Sequence, residues 1–173
     1  GSIQALKTRD TNLVTFCEDK ILKVLANKDA VFNADGNPQL TATNKVLGQT
    51  IPFVGDYGIS KNPESLAWDQ NRIYFADKQR GAVLRLSRDG LTPISNVGMK
   101  TYFREYLRMC DNIVGTFDVV NGEYNIKLGI NEINQTEQVC TPSGCTVAVE
   151  PRTLSFNEGG KGWVSFKSFI HSC

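Results

Sequence analysis

A short motif typical of a β-hairpin recurs four times along the chain and constrains its fold more than any other feature. Each copy has an apolar or alternating run that ends near a phenylalanine, then a turn rich in Asn, Asp or Gly, then a second alternating run. The four phenylalanines are Phe16, Phe75, Phe117 and Phe156. β-Branched and aromatic residues favour strands, while Gly, Asn and Asp favour the turns between them. The motif therefore predicts a mainly β protein.

The residues at the turns are predicted to be structural. Asn121-Gly122 is typical of a type I′ hairpin turn, because both of its central positions need a positive φ. Asp77 ends a strand of the second hairpin, where a carboxylate can accept backbone N–H bonds and close the turn. Asp19 and Asn157 stand at similar places in the first and fourth hairpins. A catalytic or metal-binding role for Asp77 is the less favoured alternative, because an aspartate at a turn needs no further reason.

The spacing of the four phenylalanines predicts a repeated module. The second and third intervals between them lie near the roughly 40-residue period of a β-propeller blade. The first interval is longer because of an insertion at about residues 27–64, which we expect to be a surface excursion with a strand or two. The prediction is an all-β fold of hairpin repeats, propeller-like or a partial propeller, with the phenylalanines at equivalent positions.

One segment has the periodicity of a short helix. Within residues 98–109, one face carries Met99, Phe103, Tyr106 and Leu107, and charged side chains surround the other. We expect this apolar face, together with the insertion, to be where a partner contacts the chain.

Length and charge limit the classes of function. The 173 residues suffice for a single domain with its own core, at residues 3–173 if Gly1-Ser2 is a cloning scar. Because 19 Lys and Arg stand against 18 Asp and Glu, no overall basic field would attract nucleic acid or an anionic membrane. The apolar runs are short and interrupted, so no membrane span is expected.

Catalytic and metal-binding motifs are not visible. Among the five cysteines only Cys140 and Cys145 are close, and the four residues between them do not match the spacing of a zinc knuckle. We expect reduced, partly buried thiols, with a disulfide or redox role for this pair as the alternative. The only histidine, His171, is poorly placed to serve as a rigid base. We therefore predict no catalytic residues, no metal site and no cofactor.

Four arginines crowd the second hairpin, at Arg72, Arg80, Arg85 and Arg88. They would suit a local patch for phosphate or nucleic acid, but the aspartates nearby favour a solvated edge of mixed charge. A sugar-binding platform could be formed by Trp68, Trp163 and Phe169, although packing in the core explains such aromatic residues more simply.

Two resemblances add to this interpretation. Residues 73–90 resemble one blade of a β-propeller of the NHL/SMP-30 type. A wider likeness lies at residues 46–49, 58–65, 74–78, 85–91, 98–99, 102–103, 154–156 and 162–169. In these stretches the chain resembles the large tail proteins of crAss-like gut bacteriophages. Those are the muzzle or nozzle proteins at the end of the short tail, sometimes labelled stabilisation or structural proteins.

The wider resemblance implies a non-catalytic structural component of a bacteriophage virion tail, assembled in the host cytoplasm, of which this chain is a piece. Its partners would be other tail subunits, in a homo-oligomeric ring of the full-length protein. Nucleic acid would meet it only when the genome passes through the tail channel. Two alternatives remain open, a β-propeller module that binds a glycan or host receptor and a propeller hydrolase or lactonase.

Overall fold

The computed structural model describes residues 1–32, 38–129, 140–141, 144–145 and 152–167. These residues form three four-stranded antiparallel sheets, one two-stranded ladder and one short α-helix. The predicted class, a mainly β chain of hairpins with one short helix, is therefore confirmed.

The large sheets are meanders in which strands adjacent in the chain pair with each other. The first sheet has the order β1-β2-β3-β4, with strands at Ile3–Arg9, Asn12–Cys17, Ile21–Phe32 and Pro38–Pro52. The second has the order β5-β6-β7-β8, with strands at Ala67–Asp69, Arg72–Asp77, Ala82–Ser87 and Gly90–Pro93. The third has the order β14-β13-β10-β9, with β9 at Asn112–Asp118, β10 at Glu123–Gly129, β13 at Arg152–Asn157 and β14 at Gly162–Lys167. The two-stranded ladder pairs β11 at Cys140–Thr141 with β12 at Gly144–Cys145.

All four predicted hairpins are present, but they are not four equivalent modules. The first two are the central hairpins of their sheets, whereas the third and fourth lie side by side in the third sheet. Phe16 and Phe75 lie on the second strand of their sheets, Phe117 on the first strand of the third sheet and Phe156 on its third strand. The prediction of equivalent positions is wrong because one sheet holds two hairpins, so the motif marks a different hairpin in different sheets.

The second sheet is the middle layer of the stack. Along β6, Ile73 and Phe75 point towards the first sheet, while Tyr74 and Ala76 point towards the third. All four side chains are buried, so β6 has an unbroken apolar run instead of an alternating one. The rings of Phe16 and Phe75 meet edge to face across the first interface, with centroids 5.3 Å apart. This face-to-face stack of four-stranded sheets is consistent with a partial propeller.

The helix α1 spans Lys100–Met109 and covers the core between the second and third sheets. Phe103 and Leu107 have no exposed surface, and Met99 and Tyr106 pack against the same core. The apolar face predicted to contact a partner is thus used within the chain, because these side chains fill the space beside the third sheet.

The insertion forms mainly a long two-stranded arm. β3 and β4 pair from Leu22 opposite Pro52 to Phe32 opposite Pro38, with irregular register in between. β2 pairs with β3 only as far as Val24, so the two longer strands extend beyond the rest of the first sheet. The sequence predicts a strand or two here, and the structure assigns most of the segment to strands.

Three of the hairpin turns are closed by the same side-chain contact. An Asp or Asn at the end of a strand accepts a hydrogen bond from the backbone N–H three residues later. The pairs are Asp77 with Arg80 at 3.1 Å, Asp118 with Asn121 at 3.2 Å and Asn157 with Gly160 at 2.7 Å.

Two of the turn predictions need correction. The loop at Asn121-Gly122 has four residues, 119–122, and only Gly122 has a positive φ, of 65°. Asp118 stabilises this longer loop, so it is not a type I′ turn. Asp19 lies in the first turn, but a backbone bond of 2.9 Å between Cys17 N–H and the Lys20 carbonyl closes it.

Candidate functional site

A basic cleft opens at the end of the stack where the β5–β6, β7–β8 and β13–β14 turns lie. Its volume is about 460 Å³. Four cations and two anions line it, namely Arg72, Arg85, Arg88, Lys161, Asp89 and Glu158. The cleft therefore carries an excess of positive charge on a chain whose net charge is only +1.

Glu158 holds two of these arginines in place. Its Oε1 accepts a hydrogen bond from Arg85 Nη1 and lies 3.3 Å from Arg72 Nε, and its Oε2 accepts one of 2.8 Å from the Tyr74 hydroxyl. Only 12% of the Glu158 side chain is exposed, so solvent competes weakly for these contacts. One carboxylate thus orients guanidinium groups from two neighbouring strands and leaves a positive charge uncompensated.

The Tyr74 phenol remains a donor in this network. Burial raises the pKa of Tyr74 well above its usual range, the hydrogen bond to Glu158 raises it further, and the two arginines oppose the shift. The phenol is therefore protonated at neutral pH. Its ring stacks on those of Tyr124 and Phe117, with centroid distances of 5.0 and 5.4 Å, so packed aromatic rings hold the phenol that contacts Glu158.

Two buried polar atoms of the cleft have no hydrogen-bond partner within the described part of the chain. They are Nε of Arg85 and Oγ of Ser87. Ser87 is only 8% exposed, and the Arg85 side chain is 17% exposed. Buried polar groups are almost always paired in folded proteins, so a site with two unpaired donors is suited to an outside acceptor.

A second groove continues from the basic cleft towards the first sheet. It shares Ser87 and Arg88 with the cleft and adds two cations, Arg9 and Lys23, and one anion, Asp10. Arg9 Nε and Asn12 Oδ1, which also line this groove, are buried without a partner among the described atoms. A band of charged side chains, in which cations outnumber anions, therefore runs across this end of all three sheets.

Three of the arginines that the sequence singles out meet in the cleft. Arg72, Arg85 and Arg88 come together there, whereas Arg80 lies at the other end of β6 and pairs with Asp77 at 3.1 Å. The sequence predicts a solvated edge of mixed charge at this hairpin, whereas the structure has a cleft lined by more cations than anions. Sequence patterns do not reveal Glu158, because it lies 73 residues from Arg85 and no local motif connects the two.

Asp77 connects the first two sheets at the opposite end of the stack. Its side chain is fully buried and accepts hydrogen bonds from the Gly58 N–H at 3.0 Å and the Ser60 hydroxyl at 2.9 Å, in addition to those from Arg80. These donors occupy both carboxylate oxygens. Among the residues with described positions, no group of three or more His, Cys, Asp or Glu could hold a metal ion.

The aromatic residues considered for a sugar platform do not come together. Trp163 packs in the core against Phe103, with centroids 4.6 Å apart. Trp68 lies on the second sheet, 51% exposed, with the Lys7 ammonium 3.3 Å from its ring centroid. This is a cation–π contact at the surface. Phe169 and His171 lie outside the described residues.

The cysteines have different surroundings. Cys17 and Cys110 are buried free thiols. Burial raises the pKa of Cys110 to about 11, so its thiol is protonated at neutral pH and a weak nucleophile. The register of the β11–β12 ladder places Cys140 opposite Cys145, and Cys173 lies outside the described residues.

The face of the first sheet that points away from the second is mainly apolar and is defined here as the outer face. Its apolar side chains are those of Leu6, Leu13, Leu22, Val24 and Pro52, and the threonines in the same cross-strand rows are Thr8, Thr15 and Thr50. These residues alternate with Val14, Phe16 and Ile21, which face the second sheet. Leu6 is 57% exposed, and Leu13, Leu22 and Val24 are partly exposed.

Among the described residues, the corresponding face of the third sheet carries mainly polar side chains, with Val114 opposite Lys127. Tyr124, Ile126 and Leu128 of β10 enter the core, so the alternate residues Asn125 and Lys127 point the other way. In the cross-strand row at Asn125, the partners are Thr116 and Ser155. The two ends of the stack therefore differ in chemistry.

Comparison with models of known protein families and with curated proteins gives no match to this sequence. Within the described ranges, no helix is long and apolar enough to span a membrane.

Proposed function

We propose that the chain is a structural module of a bacteriophage virion tail and works through sheet-to-sheet contact with other tail subunits. The observation that carries this proposal is the apolar outer face of the first sheet. Two hydrophobic cores fill the spaces between the layers, whereas this face exposes a leucine that is 57% accessible. A contiguous apolar surface that includes an exposed leucine supports contact with a further subunit.

The occupant of the outer face is proposed to be a further four-stranded sheet. The first sheet already packs in this way on its other side, where Phe16 and Ile21 meet Phe75 and Leu84 of the second sheet. A sheet of the same kind would cover the outer face with the same geometry. It would come from a neighbouring copy or from another part of a longer chain.

The likeness to tail proteins of crAss-like bacteriophages supports the virion as the setting. An assembly of this type needs rigid, stackable units and no catalytic chemistry. We accordingly assign the polar network around Asp77 to stability and propose no catalytic residue.

Two measurements test this function together. Mass spectrometry of purified virions from the phage that encodes the chain should detect its peptides, and their absence from virions would contradict the tail assignment.

Labelling of cysteines introduced one at a time tests the outer face. Leu6→Cys should react with maleimide in the isolated chain and be protected in the virion.

The matched control for the labelling is Val120→Cys, in the β9–β10 loop, where the native valine is 93% exposed. This thiol should react in both states. If Leu6→Cys reacts as fast in the virion as Val120→Cys does, the outer face is not the contact surface.

A further inference from the structure

We propose that the basic cleft binds a tetrahedral oxyanion, a phosphate or sulfate group carried by a sugar or a similar small molecule. The juxtaposition that carries this inference is that of Arg85, Ser87 and Arg88 with Arg72 and Lys161 around one opening. This site is independent of the outer face of the first sheet.

The charge of the cleft favours an anion. Glu158 is engaged with Arg72 and Arg85 together, so its single negative charge compensates only one of two guanidinium groups. Arg88 and Lys161 add two exposed cations at the rim, against Asp89 alone. An anion entering the cleft therefore gains from uncompensated positive charge, part of it shielded from solvent.

The unpaired donors indicate where the anion would bind. Arg85 Nε and the Ser87 hydroxyl are buried, line the same cleft and lack acceptors among the described residues. Both lie on β7, two residues apart, so a regular strand places them on the same side. A free donor on a buried side chain is unfavourable without a ligand, and an oxyanion would satisfy both donors.

The type of anion follows from the donors. Guanidinium groups bind phosphate and sulfate through paired N–H donors, and a hydroxyl adds a further bond to such a group. Donors that converge from β6, β7 and the β13–β14 turn suit a group with oxygens in several directions. The volume of the cleft, about 460 Å³, leaves room for the molecule that carries the anion. A cavity of this volume falls within the size range of small-molecule sites.

Isothermal titration calorimetry with three probes tests the proposal: inorganic phosphate, inorganic sulfate and glucose 6-phosphate. We expect saturable binding that weakens as the salt concentration rises. Tighter binding of glucose 6-phosphate than of inorganic phosphate supports a carried group, and equal binding overturns that part of the proposal and identifies the free ion as the ligand. No saturable binding of any probe at millimolar concentration overturns the proposal, and so does tighter binding of a single-stranded oligonucleotide than of all three.

The decisive variant is Ser87→Ala, which removes the unpaired hydroxyl and leaves the strand unchanged. Its affinity for the bound probe should fall about tenfold, while its melting temperature should stay the same or rise. If Ser87 contributes to stability alone, the substitution should leave the affinity unchanged and lower the melting temperature.

Arg88→Gln and Arg108→Gln form a matched pair on exposed arginines. Arg88 lines the cleft and Arg108 lies on the helix, away from it. The first substitution should lower the affinity about tenfold and the second should leave it unchanged. Equal effects of the two would show that overall charge, and not the cleft, attracts the anion.

Discussion

The carboxylate of Asp77 accepts a hydrogen bond of 3.0 Å from the backbone N–H of Gly58 and so adds a buried polar contact to the apolar packing between the first two sheets. Asp77 ends β6 in the second sheet. Gly58 belongs to the segment that leaves the first sheet, and the two residues after it donate their N–H groups to carbonyls of Cys17 and Glu18. One buried side chain thereby fixes both the turn of its own hairpin and the connection between the sheets.

Replacement of Asp77 by Ala should lower the free energy of unfolding by about 3–5 kcal/mol, because it leaves buried donors and the Arg80 guanidinium without their acceptor. Asp19→Ala is the control, since this carboxylate is 47% exposed and its turn is closed by backbone. It should change stability by about 0.5 kcal/mol or less. Urea unfolding of the two variants measures both values, and similar losses would refute the joining role of Asp77.

Gly115 should not tolerate a larger side chain. A Cβ at this position would lie 2.1 Å from the Ser65 carbonyl oxygen and 2.8 Å from the Tyr124 hydroxyl, so the β9 strand and the segment before β5 would have to separate. Gly115→Ala is expected to lose about 2 kcal/mol or more in thermal or urea unfolding. Gly129→Ala, in the same ladder, meets its nearest atom at 3.5 Å and should be tolerated. A tolerated Gly115→Ala would mean that the contact between the second and third sheets is looser than described.

Stability should fall as the pH rises above about 9–10. Burial raises the pKa of Cys110 from 9.0 to about 11, and burial raises the pKa of Tyr74 and Tyr124 far above 10.0. As the pH rises, these three groups lose their protons in the unfolded chain before they do in the folded chain. Their contribution to stability is therefore complete below the pKa values of the unfolded chain and is lost as the pH rises towards the pKa values of the folded chain. Urea midpoints measured from neutral to strongly alkaline pH should show this decline.

Tyr124→Phe removes one of the groups responsible for the decline at high pH. The Ser65 carbonyl would lose the hydrogen bond of 2.8 Å that it accepts from the Tyr124 hydroxyl. The variant should therefore be less stable than the parent chain at neutral pH by about 1–2 kcal/mol. In the alkaline range its stability should fall less steeply than that of the parent. Parallel curves would exclude Tyr124 from the titration.

Glu158 should matter for stability more than the other acid of the basic cleft. Glu158→Gln removes the charge that pairs with Arg72 and Arg85, at a carboxylate only 12% exposed. This loss should cost about 1–3 kcal/mol. Asp89 occupies an exposed position of the same cleft. Asp89→Asn should cost less than about 0.5 kcal/mol.

Chemical unfolding at low and high salt distinguishes the two variants, because the Glu158 carboxylate is shielded from solvent, whereas the Asp89 carboxylate is exposed and its charge is screened by ions. An equal response of Glu158→Gln and Asp89→Asn would contradict the proposed orientation of the arginines.

Much of the local structure could be predicted because its causes lie close together in the sequence. Strand composition and turn residues identify all four hairpins, and the helical periodicity of residues 98–109 identifies the helix. Asn121-Gly122 shows the limit of this approach. The motif favours a two-residue turn, but the Asp118 carboxylate accepts hydrogen bonds from the N–H groups of Val120 and Asn121 and so stabilises a longer loop.

The arrangement of the hairpins depends on contacts that no local pattern contains. Nothing near β10 in the sequence indicates that it pairs with β13, which lies well beyond it along the chain, so two hairpins of one sheet resemble two separate modules. The basic cleft likewise depends on contacts between residues that are far apart in the sequence. Arg72 and Arg85 belong to one hairpin, but Glu158, whose carboxylate orients them, lies near the other end of the chain.

The position of the second sheet has a consequence for how the molecule opens. Its strands contribute side chains to both hydrophobic cores, whereas the first and third sheets each contribute to one. Local opening of β1 or β14 exposes apolar surface on one side, but opening of β6 or β7 disrupts both cores at once. Amide hydrogens of β6 and β7 should therefore exchange last, only when the whole chain unfolds.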